Sequence, residues 1–510
     1  MFTWIKARKS DHRLADKEDA KELLAALSRG ESLSGLQRLS ELLDDLKIAQ
    51  GIGVGRMYEI VDAVDRTGRA HYRSASQEFL GHRHQLTTFQ ANRIWTSAGE
   101  YVVQLAEAYQ LCLAAFEANA SGAAALRTQV VRILGRAIRL RAAALKWDCL
   151  RHTTHFGNWA EIYRLYQLAE MRGRVHEKVL LYRGGRLSTV EAEFMQALML
   201  AAASPQALVP EQIEAAERII ASLAGHLTLS NADRAKRPYF FDPASGAPPV
   251  RELPGIRPPF TARRFGPGGA EVELRQLLRN AEAGTLPGSQ FGLQGVSETV
   301  LRTTLQHLVR YWCELPADRR HVRRRLATCA TVVHGFEEVA ANVGNMLAGY
   351  PFVSDQEAWL VENAADGGVG ALVKSPHGTW VNVGVLLAYR HPDSATWNAG
   401  IVRHMREEED QTLCVGVELI AQGGVAVSVW GDKRGANIQD DGVLCVWLAG
   451  AGCGEGEVKL LMPASLYSPA ATLDATLYDR KYRLSPLRLL EAGPDYELGL
   501  FKVARRTEDE

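Results

Sequence analysis

At 510 residues the chain is too long for one typical domain, and length alone argues for about three. Lysine plus arginine and aspartate plus glutamate are equal at 59 each, giving a formal charge of +0, which excludes the basic excess of a dedicated nucleic-acid binder. The seven cysteines, at 112, 149, 313, 329, 414, 445 and 453, never form a Cys-x-x-Cys pair, so reduced thiols in a cytoplasmic protein are expected, with no zinc site or disulfide framework.

The first residues, Met1 to Lys9, become charged too soon for a signal-peptide core. No later apolar run reaches membrane-spanning length, so a soluble protein without a membrane span is expected. From Asp16 to about Ser230 the chain is rich in Ala, Leu, Glu and Arg, with apolar residues recurring at three and four, which predicts helices. They fall near 17–49, 55–65, 86–119, 123–155, 158–172, 188–203 and 210–227, with glycine breaks at Gly51, Gly122 and Gly184. No fixed repeat runs through them, which predicts an irregular helical array over 1–235 instead of a solenoid.

Three features of that half invite a functional reading and receive a plainer one. Gly51-Ile-Gly-Val-Gly has the composition of a phosphate loop, but it follows a helical pattern and no Lys-Ser pair succeeds it, so it reads as an interhelical linker. Arg132, Arg136 and Arg139 share one helix face opposite Val131, Leu134 and Ile138; a solvated face is expected, in preference to a docking surface for an acidic partner. His152 and His155 lack a His-Glu-x-x-His arrangement or a carboxylate pair and read as surface or packing residues.

Between Lys236 and Gly292 proline and glycine break any helix, as at Pro238, Pro248, Pro254, Pro258 and Pro267. A connector over 236–315 is expected, with a short strand at Tyr239–Phe241 and helices near Glu271–Ala283 and Glu298–Cys313. After Pro351 the apolar period changes to two, and six or more strands fit between 357 and 430, enough to close a small barrel. Arg403 and Glu418 fall on adjacent predicted strands as a cross-strand ion pair. Further valine- and leucine-rich runs after Gly431 predict a second β module over 431–510, ending in a mobile acidic tail. The expected fold class is multidomain α + β: an irregular all-α N-terminal half, then an antiparallel β-barrel over 316–430, then the second β module.

The chemistry concentrates between Asp318 and Gly370. A basic burst contains Arg319, Arg320, Arg323, Arg324 and Arg325, and about forty residues later the chain reaches Asn363-Ala-Ala365-Asp-Gly-Gly368. Arginines four apart share a face of a helix or a strand, so Arg319 with Arg323, or Arg320 with Arg324, can converge on one anion. Guanidinium grips phosphate through paired hydrogen bonds. A short polar residue beside glycines leaves backbone N–H groups open to a flat base.

These two motifs resemble those of the PilZ family, receptors for cyclic di-GMP, whose signature is Arg-x-x-x-Arg followed by Asp/Asn-x-Ser-x-x-Gly on a β-barrel. Asn363 and Gly368 match the second motif, Ala365 stands where the family has serine, and the interval between the motifs holds the insertion Val333 to Val343. The loss of one neutral hydrogen bond costs about 0.5–1.5 kcal/mol, a tenfold weakening at most. The resemblance implies a PilZ-like barrel and a receptor, not an enzyme. The arginines would clamp the phosphates, Asn363 and the glycine turn would face guanine, and the signal would pass to a protein partner through the helical half. No cofactor is implied. The competing expectation is a ligand-independent helical adaptor carrying a degenerate barrel. No Gly-x-Ser-x-Gly elbow, kinase loop or catalytic cysteine context is present.

Overall fold

The computed structural model describes residues 12–505 apart from 82–84, 121, 231–236, 254, 294, 313–323, 345–355, 375, 409, 432–441, 449–453, 455 and 479. Gln206–Val209 aside, the chain divides into a first unit ending at Ala317 and a second from Asp318.

The first unit is built on ten α-helices among the described residues: α1 Lys17–Leu27, α2 Ser32–Ile48, α3 Val54–Gly81, α4 Thr88–Glu117, α5 Val130–Cys149, α6 Trp159–Met171, α7 Val190–Ala202, α8 Pro210–Leu223, α9 Ala270–Glu282 and α10 Glu298–Trp312. Their starts carry the expected chemistry. Asp16 accepts from Glu18 N–H at 2.9 Å, Thr87 and Gln90 form a reciprocal capping box, and Asn158 and Thr189 cap α6 and α7. Gly51, with φ 77°, lies in the link between α2 and α3, as its sequence context requires. His155 is an exposed residue whose ring lies 5.6 Å from Trp95 and 4.7 Å from Phe156. No helix among the described residues is long and apolar enough to cross a membrane.

The arginine stripe of α5 is not a solvated face. Helix α5 packs against α4, α6 and α7, and its remaining side is met by a hairpin of β1 Val179–Leu180 and β2 Leu187–Ser188. Arg132 and Arg136 donate through Nε to the Leu180 and Leu181 carbonyls, at 3.1 and 2.8 Å. Arg136 is only 5% exposed and reaches Asp62 at 2.6 Å and Asp65 at 3.4 Å, while Arg139 makes a bidentate pair with buried Glu193. The Tyr182 ring lies beneath the guanidinium groups of Arg69, Arg136 and Arg139, at 4.1, 4.6 and 5.6 Å. Guanidinium can be buried here because the carboxylates that answer it arrive from α3 and α7, far away in sequence.

The proline-rich stretch is also more ordered than a connector. Strands β3 Thr228–Ser230, β4 Tyr239–Phe241, β5 Val250–Arg251 and β6 Arg263–Gly266 form a sheet in the order β3-β6-β4-β5. Phe241 and Phe265 are buried, and the Phe241 ring stacks on Tyr163 of α6 at 4.9 Å and meets Phe194 of α7 at 5.3 Å. Aromatic burial thus ties this segment to the helices, whereas alternating prolines alone read as a linker.

The second unit contains two closed, six-stranded antiparallel barrels. The first consists of β7 Arg324–His334, β8 Glu357–Ala365, β9 Gly368–Val373, β10 Leu386–Arg390, β11 Asn398–Glu407 and β12 Leu413–Gln422, in the order β10-β11-β12-β9-β8-β7, closed by β10 against β7. The second consists of β13 Val425–Gly431, β14 Val443–Leu448, β15 Glu457–Pro463, β16 Leu473–Leu477, β17 Arg480–Ala492 and β18 Tyr496–Arg505, in the order β13-β14-β15-β18-β17-β16. Strand β13, which the sequence places in the first barrel, pairs with β14 and β16 and so opens the second. The place it would have filled is taken by β7.

Alternation decides the barrel interiors. Along β9 every second residue, Val369, Ala371 and Val373, is buried, and these pack with Trp359, Val361, Val402, Met405, Val415 and Val417. A second cluster joins the barrels: Phe336 and Val339 from helix α11, Phe336–Val343, pack with Ile401 of the first barrel and Val446, Leu448 and Leu498 of the second.

Candidate functional site

Strands β8 and β9 form a hairpin in which Ala365 pairs with Gly368, so that Asp366 and Gly367 make the turn. Gly368 is held at φ 146°, and a Cβ there would stand 2.0 Å from the Val417 carbonyl oxygen. Only glycine fits, because β12 passes directly against the turn and Leu419 N–H donates to the Gly367 carbonyl at 2.9 Å. The turn is therefore fixed to the barrel wall before any ligand arrives.

Strand β7 brings the end of the basic burst to this hairpin. Arg324 lies directly opposite Ala364 and Arg325 directly opposite Asn363. Opposed positions of an antiparallel pair lie about 4.5–5.5 Å apart, within reach of a shared ligand. A register shift between Val361 and Asn363 breaks the alternation of β8, so Val361 faces the core while Asn363 faces outward opposite Gly370. Gly370 makes room for this: a Cβ there would lie 2.7 Å from Asn363 Nδ2.

Arg324, Asn363, Ala365 and Gly368 are thus gathered on neighbouring strands at one end of the barrel, whereas Arg319, Arg320 and Arg323 lie outside the described residues. Arg325 belongs with this group. The sequence pointed to it only as part of the burst, because four-residue spacing does not reveal which position will face Asn363 in an antiparallel register. Arg324 and Arg325 are both exposed, and neither pairs with a carboxylate among the described residues.

Besides Asp366 of the turn, the acidic Glu418 stands nearby. Glu418 is paired with Gly368 across β9 and β12, and it accepts from Arg403 Nε at 2.7 Å, the cross-strand ion pair expected from sequence. A bulge in β11 between Val402 and His404 turns Arg403 aside, and its two terminal nitrogens also bind Glu491 of the second barrel. Burial opposes the Arg403 charge, but Glu491 and Glu418 more than offset it and raise its pKa. Arg403 thereby neutralises part of the negative charge beside the turn.

The far ends of β7 and β8 are closed. Glu357 accepts from Trp359 Nε1 at 3.0 Å, Trp380 Nε1 at 2.7 Å and His377 N–H at 2.9 Å, and Trp380 stacks on His334 at 4.0 Å. Burial works to raise the Glu357 carboxyl, and the three donors reverse this and hold it below the ordinary range.

Comparison with known proteins points to the other unit. Residues 18–235 match the family model of the N-terminal domain of the cyclic-di-GMP receptor FimW. The FimW match runs from α1 through β3 and covers less than half of the chain, ending well before the β8–β9 hairpin. No curated protein matches the chain.

Proposed function

We propose that the chain is a cyclic di-GMP receptor whose ligand docks on a PilZ-like first barrel and whose helical half passes the signal to a protein partner. The observation that carries this reading is the register of β7 on β8, which sets Arg324 and Arg325 opposite Ala364 and Asn363 beside a turn that only glycine can make. In this reading Arg319, Arg320, Arg323 and Arg324 clamp phosphates while Asn363, Ala365 and Gly368 face guanine. The FimW family match adds independent support, since residues 18–235 share no position with these motifs yet match a family model described by the same ligand.

The missing hydroxyl at Ala365 leaves such a site weaker but intact, because a charge-assisted arginine–phosphate bond is worth about 1.5–3 kcal/mol against about 0.5–1.5 for the lost neutral one. Isothermal titration of the full chain with cyclic di-GMP is the test. Replacing Arg320 and Arg324, or Arg319 and Arg323, by alanine lowers affinity by at least about tenfold with the fold unchanged. Absence of binding heat from the parent, or parent-like binding by both double variants, replaces the receptor with the ligand-independent adaptor.

A further inference from the structure

The β1–β2 hairpin of the helical unit is bolted to α5 by an unusual number of contacts for strands of two residues. Leu181 is buried over Gly135, where a Cβ would stand 2.7 Å from the leucine Cδ2. The Leu180 and Leu181 carbonyls accept from Arg132 and Arg136, Tyr182 lies beneath Arg69, Arg136 and Arg139, and the Ser188 hydroxyl donates to Glu193. A lone two-stranded hairpin is marginal in water, so these contacts supply its order.

What they hold in place faces solvent. Leu180 and Leu187 are directly opposed across the two strands, at 37% and 63% exposure. Lys178, Arg183 and Arg186 flank them in the same hairpin, all exposed, and none pairs with a carboxylate among the described residues. No acidic residue lies between Glu177 and Glu191 in sequence. Those two are engaged elsewhere, Glu177 by both ends of the Arg174 guanidinium and Glu191 by the Tyr166 hydroxyl at 3.3 Å. The zero formal charge of the chain therefore hides a tip with three unanswered cations beside two leucines.

We propose that this hairpin docks the helical unit on an anionic lipid bilayer, with Leu180 and Leu187 set into the headgroup boundary and Lys178, Arg183 and Arg186 on lipid phosphates. Apolar side chains flanked by cations are the chemistry of interfacial anchors. The occupant follows from the charge and shape of the tip. A second copy of the chain would bring like charges together. A nucleic acid would leave the leucines idle and find the Tyr182 ring already covered by arginines. A bilayer uses both kinds of side chain and yields to a protruding tip. The contact is independent of where cyclic di-GMP docks.

Co-sedimentation of the full chain with lipid vesicles tests this. The parent binds vesicles of phosphatidylcholine and phosphatidylglycerol in equal parts, ignores phosphatidylcholine alone and is released by salt. Each cation near an anionic surface is worth about fivefold in partition, so Arg183→Gln with Arg186→Gln lowers binding by about twentyfold, while Arg183→Lys with Arg186→Lys keeps it. Leu187→Ser weakens it by several-fold, as insertion requires. Thermal melting like the parent's, expected at exposed positions, separates lost binding from lost fold. If the parent does not sediment with the anionic vesicles, or if both arginines can be neutralised without loss, the proposal fails. Loss with the arginine variant but none with Leu187→Ser overturns it in favour of a soluble acidic partner.

Discussion

The chain carries two arginine stripes of nearly the same spacing, and the structure gives them opposite fates. Arg132, Arg136 and Arg139 on α5 are drawn into the helical unit by Asp62, Asp65, Glu193 and the Tyr182 ring. Arg324 and Arg325 on β7 stay exposed beside a glycine turn. The difference lies in what stands opposite: carboxylates and a tyrosine face in one case, an alanine and an asparagine in the other. Spacing sets which arginines act together, and only the opposing surface decides whether they act on the protein itself or on something outside it.

The sharpest test of this contrast exchanges single arginines for neutral residues and measures stability. Arg136→Met leaves Asp65 buried without its cation, and Asp65 is already raised above the usual carboxylate range by burial. A loss of about 3–5 kcal/mol is expected in chemical denaturation of the helical unit. Arg324→Ala changes stability by less than about 0.5 kcal/mol, as for an exposed side chain. Equal effects from both substitutions would erase the distinction.

A second test uses pH. His307 of α10 accepts burial as a neutral ring, with Nε2 2.6 Å from the Ala203 carbonyl and its pKa pulled down to about 4. The unfolded chain therefore takes up a proton near pH 6.5 that the folded helical unit refuses until about pH 4. Stability is complete above that window and falls through it by up to about 1.4 kcal/mol per pH unit. Glu357 also has a depressed pKa, so its contribution to the barrel is present above the unfolded carboxylate value and is lost only at lower pH. On acidification the helical unit weakens first, and His307→Gln removes that early loss. Simultaneous transitions in hydrogen exchange of the two units would contradict this order.

The smallest expected effect sharpens the barrel side alone. Ala365→Ser restores a hydroxyl at the turn, and cyclic di-GMP affinity rises by a few-fold, the worth of one neutral hydrogen bond. Titration showing no gain would mean that this side of the turn does not hold the base.

Much of the architecture could be read from periodicity. The helices of the first unit, the strand at Tyr239–Phe241 and the change to period two all follow local patterns that survive folding. What could not be read depends on distant partners. The burial of Arg136 needs Asp62 from 74 residues away, and the proline-rich stretch becomes a sheet only because Phe241 finds Tyr163 and Phe194. Strand β7 is harder still: its first six residues are largely exposed, so an inside–outside alternation appears only near Ala330. The glycine hairpin was legible because Asn363 and Gly368 answer to local backbone demands. Arg325 was not, since register across a sheet is set by every strand in it.

Helix α11 and the cluster around it have a practical consequence for anyone dividing this protein into pieces. The link between Gln422 and Val425 looks like a natural place to cut, being two glycines between complete barrels. A fragment ending there would present Phe336, Val339, Trp397 and Ile401 to water and leave Arg403 without Glu491. Such a piece should precipitate or bind weakly for reasons unrelated to the proposed ligand site. The smallest fragment that keeps those surfaces covered begins near Asp318 and retains both barrels.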